Sequence, residues 1–232
     1  MELEIKNYAV LRLGGLEIWI TDTMVSTWII MGVLIVFGIF VRIKVRKFKE
    51  VPKGFQNAIE GLIEVFESYL RTTVGDKLMF LGHWFFTLFV FILLSNLSGL
   101  IPGMRPPTAD WSFTFGMAIV TFTLIQAMGI KFRGTGYLKS FVKPYYLAFL
   151  FLPMNIIGEL ARPISISFRL FGNMLAGLIM MSLIYALAPV FAQFVIPVPL
   201  HGFFDVFSGV LQTYIFCTLS MTFISGATEL SD

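Results

Sequence analysis

Residues 158–177 read GELARPISISFRLFGNMLAG and place three charged side chains, Glu159, Arg162 and Arg169, inside a long apolar tract. The tract extends from about residue 145 to about residue 191, and the quoted stretch is flanked by FLFLPMNII and LIMMSLIYALA, which would be stable in lipid. Arginine keeps its charge at physiological pH, and a charge at the centre of a membrane helix costs about 3 kcal/mol. The stretch therefore predicts a membrane helix that carries a functional site.

Composition points to the same class of protein. Of the 232 residues, 57% are hydrophobic and only 13% are charged, and the mean hydropathy is +0.83. Soluble proteins average about 25% charged residues. We therefore expect residues 1–232 to form a single polytopic membrane domain. The formal net charge of +3 is small, and the basic residues of the chain cluster between the apolar runs. This distribution is typical of the loops of a membrane protein and argues against nucleic-acid binding.

Apolar runs predict five transmembrane helices, because about twenty residues at 1.5 Å per residue cross a hydrocarbon core of about 30 Å. The runs are residues 24–43, 78–101, 113–130, 145–191 and 200–227. Basic residues cluster at 42–53 and again at 131–143, and such clusters mark the cytoplasmic side. This assignment places the N-terminal segment, residues 1–22, outside the cell and the C-terminus inside.

Residues 53–75 have a different pattern from the spans. Apolar side chains recur at steps of three and four from Phe55 to Leu70, while Glu60, Glu64 and Glu67 occupy the opposite face. This periodicity predicts an amphipathic helix that is too polar to span. We expect it to lie on the cytoplasmic surface, so that the chain forms an all-α membrane protein of five transmembrane helices and one surface helix.

The tract at 145–191 is too long for one upright helix, since some 45 residues would extend about 65 Å. One interpretation is a hairpin that turns near Pro163, and the other is a single long, strongly tilted helix. The stretch 189–199 carries no charge, as expected of an outer loop reached by one crossing. Proline is tolerated in a membrane helix if neighbours satisfy the freed carbonyl. We therefore expect the single tilted helix.

The spacing of polar residues places them on shared faces of the last two helices. The first face holds Ser165, Arg169, Asn173 and Ala176, and the second holds Asp205, Ser208 and Gln212. Steps of three and four residues align side chains along an α-helix. We expect residues 145–227 to form an antiparallel hairpin in which Gln212 lies level with Arg169 and Asp205 lies nearer the outside.

A permanent positive charge in such a hairpin repels cations, so a continuous cation pore past Arg169 is excluded. Arginine instead suits a carboxylate, with which it forms paired hydrogen bonds. Within this chain Glu159 lies ten residues away along the helix and Asp205 lies nearer the outside. We therefore expect a partner subunit to supply the carboxylate.

The motif FRLFGNMLAG, together with SNLSGLIPG, PPTAD and LQTYIF, resembles the a subunit of bacterial F-type ATP synthases. The resemblance covers nearly the whole chain. It implies a non-catalytic stator subunit of the inner (plasma) membrane. Its implied partners are a rotating ring of c subunits, the b-subunit peripheral stalk and the other synthase subunits.

The same resemblance implies roles for individual residues. Two offset half-channels would lead ions to and from a carboxylate on the ring, and Arg169 would separate them and engage that carboxylate. Asn173 and Gln212 match polar residues beside the arginine. The sequence shows no metal-ligand spacing, phosphate loop or nucleophile arrangement, so we expect neither a cofactor nor a metal in this subunit.

The chain departs from the family at two positions. Many bacterial members have an acid five positions after the asparagine, where this chain has Leu178. Seven positions before the glutamine, where members have a histidine or an acid, it has Asp205. Two possibilities therefore stay open. Either protons are the coupling ion and enter through Asp205 alone, or the coupling ion is sodium.

A second group of residues are candidates for the ion path or its support: Ser165, Ser208, Glu159 and Arg162. For Arg162 a local ion pair with Glu159 at i, i+3 is an equal alternative. His83 and His201 are expected to be interfacial. Asn96, Ser98 and Asp110 are expected to shape and cap the outer loop, with a role in the access channel as the alternative. Two other functions stay open, a self-contained secondary transporter that binds an anionic substrate at Arg169 and a non-conducting membrane scaffold.

Overall fold

The computed structural model describes residues 7–13, 16–46, 48–49, 51–101, 103–140, 142, 148–187, 189 and 196–229. Two strands, β1 (Asn7–Leu13) and β2 (Leu16–Thr21), precede the helices. The α-helices are α1 (Asp22–Val45), α2 (Phe55–Val74), α3 (Gly82–Leu97), α4 (Trp111–Arg133), α5 (Thr135–Ser140), α6 (Ala148–Leu187), α7 (Pro197–His201) and α8 (Gly209–Thr228). Three 3-10 turns (Asp76–Leu81, Ser98–Leu100 and Pro107–Ala109) and a π-helix (Gly202–Ser208) complete the described elements.

The predicted membrane class is confirmed. Within the described residues, five helical segments are long and apolar enough to cross a membrane: Asp22–Val45, Asp76–Leu100, Trp111–Arg133, Phe149–Leu187 and Pro197–Thr228. Each corresponds to one predicted run, and the last two are the longest, as expected. Hydropathy was sufficient to locate the spans because each contains an apolar window long enough to cross a membrane.

The N-terminal hairpin was not predicted from the sequence. Strands β1 and β2 pair antiparallel, with Leu13 opposite Leu16. The two residues between the strands are Gly14 and Gly15, and a Gly-Gly pair between two apolar, β-branched runs is a hairpin signal. The predicted outer segment thus contains a two-stranded sheet, and its first six residues lie outside the described part of the chain.

Helix α2 has the predicted amphipathic form. Its buried residues Phe66, Leu70 and Val74 share one face, and its acidic residues are exposed. The hydroxyls of Tyr69 and Thr218 form a 2.5 Å hydrogen bond that ties α2 to α8, and burial raises the pKa of the Tyr69 hydroxyl. At its other end α2 meets α1, where the Lys44 ammonium lies 5.5 Å from the ring centre of Phe55.

The core lies between α2, α3, α4, α6 and α8. Its fully buried large side chains include Phe85, Ile92, Phe216, Met221 and Ile224. Helices in lipid associate through close packing and interhelical hydrogen bonds rather than through hydrophobic burial. This packing holds α8 in place, and α6 packs along α4.

Helix α6 is continuous over 40 residues and contains both Pro153 and Pro163. This agrees with the single long helix and not with a hairpin that turns at Pro163. At 1.5 Å per residue its length is about 60 Å, so within a core of about 30 Å it must run at a steep inclination. Residues 145–147, 188 and 190–191 of the predicted tract lie outside the described residues, as does most of the predicted outer loop at 189–199.

Candidate functional site

One face of α6 carries its polar residues and is exposed. Ser165, Arg169, Asn173 and Ala176 are all exposed, in agreement with the predicted shared face. The neighbouring face, with Ile166, Leu170, Met174 and Met181, is buried. Among the described residues Arg169 makes no ion pair. The guanidinium therefore lies on an outer surface of the chain, surrounded by exposed apolar neighbours such as Phe168.

Asn173 joins this exposed face to α8. Its side-chain amide Nδ2 donates a 3.0 Å hydrogen bond to Gln212 Oε1. Gln212 is only 2% exposed, so the bond leads from the surface of α6 into the interior. The sequence predicted Gln212 level with Arg169, but it lies level with Asn173, one helical turn further along α6.

Asn96 continues the line of polar groups on the other side of α8. Its Nδ2 donates to the Gly209 carbonyl at 2.9 Å and to Thr213 Oγ1 at 3.1 Å. A Cβ on Gly209 would lie 3.0 Å from the Asn96 Cβ, so glycine is what allows this approach. Asn96 is fully buried. The sequence analysis assigned it to the outer loop, whereas the structure places it between α3 and α8.

Asp205 lies in the π-helix that precedes α8, at the end of α8 that is predicted to face outside. Its carboxylate is beside Gly99, since a Cβ there would lie 3.5 Å from Asp205 Oδ1. Its Oδ2 is 2.5 Å from His201 Nδ1. His201 was expected to be interfacial, and its contact with Asp205 was not predicted. The two residues are four apart along the chain, so the i, i+4 spacing could have indicated the contact.

The π-helix also corrects the predicted shared face of Asp205, Ser208 and Gln212. The prediction assumed α-helical steps, but the segment that contains Asp205 and Ser208 has i→i+5 hydrogen bonding. Asp205 consequently lies against the outer end of α3, and Gln212 bonds to α6. Ser208 is half-buried at the last position of the π-helix.

The level of Asp205 along α6 follows from a contact next to it. Phe204 packs against Gly177, whose Cβ would lie 3.1 Å from the Phe204 Cβ. Gly177 is eight residues beyond Arg169, or about 12 Å of helix. We use the name polar seam for Asp205, Asn96, Thr213, Gln212 and Asn173, which together lead from this outer level to the exposed face of α6.

A second polar cluster lies at the opposite end of α6. Tyr137 Oη donates to Gln126 Oε1 at 3.0 Å, and Gln126 Nε2 donates to Glu159 Oε2 at 3.1 Å. Glu159 Oε1 is 2.6 Å from Arg162 Nη1, so the predicted i, i+3 ion pair is present. The guanidinium of Arg162 also lies 4.7 Å from the ring centre of Phe223.

This inner cluster borders a cavity of about 440 Å³ between α4, α5, α6 and α8. Its polar lining includes Arg133, Asn155, Glu159, Arg162 and Thr222. Burial, followed by the charge of Glu159, raises the pKa of the Tyr137 hydroxyl. Tyr137 therefore stays protonated at neutral pH and keeps the proton that it donates to Gln126.

Comparisons with known proteins agree with the resemblance found in the sequence. The family described as ATP synthase A chain matches residues 24–225. The chain is 36% identical over 222 residues to the ATP synthase subunit a of Moorella thermoacetica, covering 95% of this chain and 96% of that protein. It is 38% identical to the ATP synthase subunit a of Trichlorobacter lovleyi, covering 90% of this chain and 87% of that protein. The chain therefore belongs to the ATP synthase A chain family.

Proposed function

We propose that this chain is the ion-translocating stator subunit in the membrane sector of a rotary F-type ATP synthase. It provides two half-channels, and Arg169 engages the carboxylates of the rotating c-ring, so that ion flow is coupled to ATP synthesis. The b-subunit peripheral stalk and the other synthase subunits hold it in place in the inner (plasma) membrane. The subunit is not an enzyme by itself, and ATP chemistry takes place on other subunits.

The exposed guanidinium of Arg169 carries this proposal. A charge on a membrane helix needs an opposite charge or a polar environment. Among the described residues Arg169 has no carboxylate partner, and its side chain lies on an exposed face. A carboxylate on a neighbouring subunit that passes this face would form the charge-assisted pair for which a guanidinium is suited. This is a stator role, since Arg169 is fixed to its helix and the acid moves.

The polar seam supports an outer half-channel. It begins at Asp205, about 12 Å of helix outward from Arg169, and ends where Asn173 reaches the exposed face of α6. Its members belong to three helices, and hydrogen bonds join Asn96 to α8 and Asn173 to Gln212. An ion taken up from outside at Asp205 would reach the ring beside Asn173, one turn outward from Arg169.

The inner cavity supports the second half-channel. Glu159 is ten residues from Arg169 on the other side, or about 15 Å of helix. Glu159 and Arg162 line a polar cavity that borders the inner ends of α4 and α8. An ion released from the ring on the inner side of Arg169 would leave past these residues. Ser165 is exposed on the same face of α6, one turn inward of Arg169, and so lies between Arg169 and Glu159.

The two routes are separated by Arg169. Its charge repels a cation that would cross directly from the outer level to the inner one. Ions therefore cross only while bound to ring carboxylates, and this requires rotation. Reversal of the ion gradient reverses the direction of rotation, so that the same arrangement pumps ions when ATP is hydrolysed.

The test is Arg169→Ala in the whole synthase complex, reconstituted in vesicles. We expect coupled ATP synthesis to be abolished while the subunit still assembles with its partners. The control is Arg71→Ala, since Arg71 is a solvent-exposed arginine on α2, and this variant should synthesise ATP at the wild-type rate. Coupled synthesis at the wild-type rate in Arg169→Ala would overturn the proposal. Uptake of an anionic substrate by the purified chain alone would instead identify a transporter.

A further inference from the structure

The outer end of the polar seam holds a second titratable side chain. His201 Nδ1 contacts Asp205 Oδ2 at 2.5 Å, and the two side chains differ in exposure, 31% for His201 and 15% for Asp205. We propose that His201 is a further residue of the ion path, which takes protons from the outer side and passes them to Asp205. This inference rests on the proposed function, and it names the proton as the ion taken up at this site.

The backbone holds the pair in one geometry. His201 ends α7, and the π-helix that contains Asp205 begins at the next residue. Short π-helical segments are rare in proteins, and those that do occur are often found at functional sites. Gly99 leaves room for the Asp205 carboxylate beside the end of α3, and the ring of Pro106 also approaches Gly99 there. The carboxylate is therefore sheltered, while the imidazole that touches it reaches the more exposed position.

A proton transfer between the two groups balances in atoms and charge. The ring takes a proton from outside and becomes an imidazolium. The Nδ1–H bond then breaks and an Oδ2–H bond forms, which leaves a neutral imidazole and a neutral carboxylic acid. When the acid releases its proton inward, the carboxylate is restored. The neutral ring then holds its remaining proton on Nε2, and it takes the next proton at Nδ1 after a ring flip turns that nitrogen toward the outer side. Histidine suits this step because its unperturbed charge change falls between about pH 5 and 8.

Other ionisable groups lie on the elements that surround the pair. The helices that pack against α7 and the π-helix carry Tyr185, Arg169, Arg162 and Glu159 on α6, His83 on α3, and Tyr214 and Cys217 on α8. Because Phe204 contacts Gly177, Arg169 and Tyr185 each lie eight residues, about 12 Å of helix, from this level. In the loop beside Pro106, Arg105 contacts Asp22 at 3.9 Å, and Asp110 accepts from Thr23.

The test compares His201→Gln with a matched control, His83→Gln, in the whole synthase complex. The chain has two histidines, and His83 is exposed at the start of α3. ATP synthesis in vesicles is measured while the pH on the outer side is varied, with the total driving force held constant by a potassium potential. We expect the wild type and His83→Gln to show the same inflection when the rate is plotted against outer pH. In His201→Gln this inflection should be absent and the rate lower by about 100-fold or more.

Three further variants keep the inference testable. His201→Asn replaces His201→Gln if the latter fails to assemble. Asp205→Asn and the double variant test whether the pair acts as a unit, in which case the double variant loses no more activity than Asp205→Asn alone. A wild-type pH profile in His201→Gln, or losses that multiply in the double variant, would overturn the inference. If Arg169→Ala still abolishes synthesis in that case, the proposed function stands and only the role of His201 falls.

Discussion

The side-chain amides of Asn173 on α6 and Gln212 on α8 are hydrogen-bonded to each other, but they differ in burial. Asn173 is exposed, whereas Gln212, to which it donates, is 2% exposed. A buried acceptor that loses its partner costs about 1–3 kcal/mol, whereas an exposed group can bond elsewhere. The loss of stability on breaking this hydrogen bond therefore depends on which of the two amides is removed.

We expect Asn173→Ala to destabilise the chain more than Gln212→Leu does. The first substitution leaves the buried Gln212 oxygen without its donor, at a cost of about 1–3 kcal/mol, and the second leaves an exposed amide. The measurement is the thermal unfolding of the purified full-length chain in detergent. Asn57→Ala, at an exposed position on α2, serves as the control and should change little. The reverse order of stabilities would show that Gln212 has other partners.

Glu159→Gln should separate the structural from the conducting role of this carboxylate. The ion-pair partner Arg162 is 37% exposed on its side chain, so loss of the pair should cost less than about 1 kcal/mol. The amide oxygen can still accept from Gln126. We therefore expect near wild-type stability with reduced proton conductance through the complex.

The control for this variant is Glu64→Gln, an exposed acid on α2, which should conduct at the wild-type rate. Conductance measured in vesicles after removal of the catalytic subunits gives the comparison. Wild-type conductance in Glu159→Gln would restrict Glu159 to its ion pair with Arg162 and remove it from the inner path.

Sequence reasoning found those residues whose role depends on the helix to which they belong. The exposed face of α6 and the Glu159–Arg162 pair both follow from α-helical spacing, and the structure shows both. It did not find the contacts of Asn96 with Gly209 and Thr213, which depend on how α3 meets α8, and spacing along one helix carries no information about that packing. The contact between His201 and Asp205 does follow i, i+4 spacing, and it was nevertheless not predicted.

At the scale of elements, the spans were predictable and their irregular ends were not. Each span begins or ends within a few residues of its predicted bound because hydropathy and helix caps determine it, as where Asp110 accepts from the Ser112 amide at the start of α4. The π-helix and α5 have no comparable signal. The continuity of α6 through Pro163 was favoured only by an argument from loop charge.

The turn from α4 into α5 depends on a close approach at Gly129. A Cβ there would lie 2.7 Å from the ring of Tyr137, which is buried. We expect Gly129→Ala to push this ring away and to break the hydrogen bond from Tyr137 to Gln126, at a cost of about 1–3 kcal/mol. Thermal unfolding of the full-length chain provides the measurement.

Gly116→Ala is the matched control, since Gly116 lies on the same helix and a Cβ there meets no atom within 4 Å. Alanine is the better helix former by about 1 kcal/mol, so this control should be neutral or slightly stabilised. Equal effects of the two substitutions would mean that α4 and α5 do not meet as closely as the structure shows.

At the scale of the whole molecule, the helices divide into a packed group and a peripheral one. The core joins α2, α3, α4, α6 and α8, and α6 has its charged face outward. Helix α1 has only Thr23, Ser26 and Ile30 buried and so contributes little to the core. The chain thus presents Arg169 on an exposed face of α6, whose buried residues Ile166 and Leu170 pack in the core.

The orientation of this arrangement in the membrane stays a prediction, and it decides which end of the polar seam faces outside. Basic residues at 42–53 and 131–143 indicate that the loops after α1 and α4 are cytoplasmic. The hairpin of β1 and β2 then lies outside, on the same side as Asp205 and His201. The opposite orientation would place the proposed proton uptake in the cytoplasm.

Two matched cysteine variants test this orientation, Val10→Cys on β1 and Val51→Cys between α1 and α2. Both valines are exposed, 41% and 68% respectively, and the native Cys217 is fully buried, so the wild type should react little with a membrane-impermeant maleimide. In intact cells we expect Val10→Cys to be labelled and Val51→Cys to be labelled only after permeabilisation. The reverse pattern would invert the chain and exchange its inner and outer half-channels. Labelling of both in intact cells would mean that α1 does not separate the two positions across the membrane.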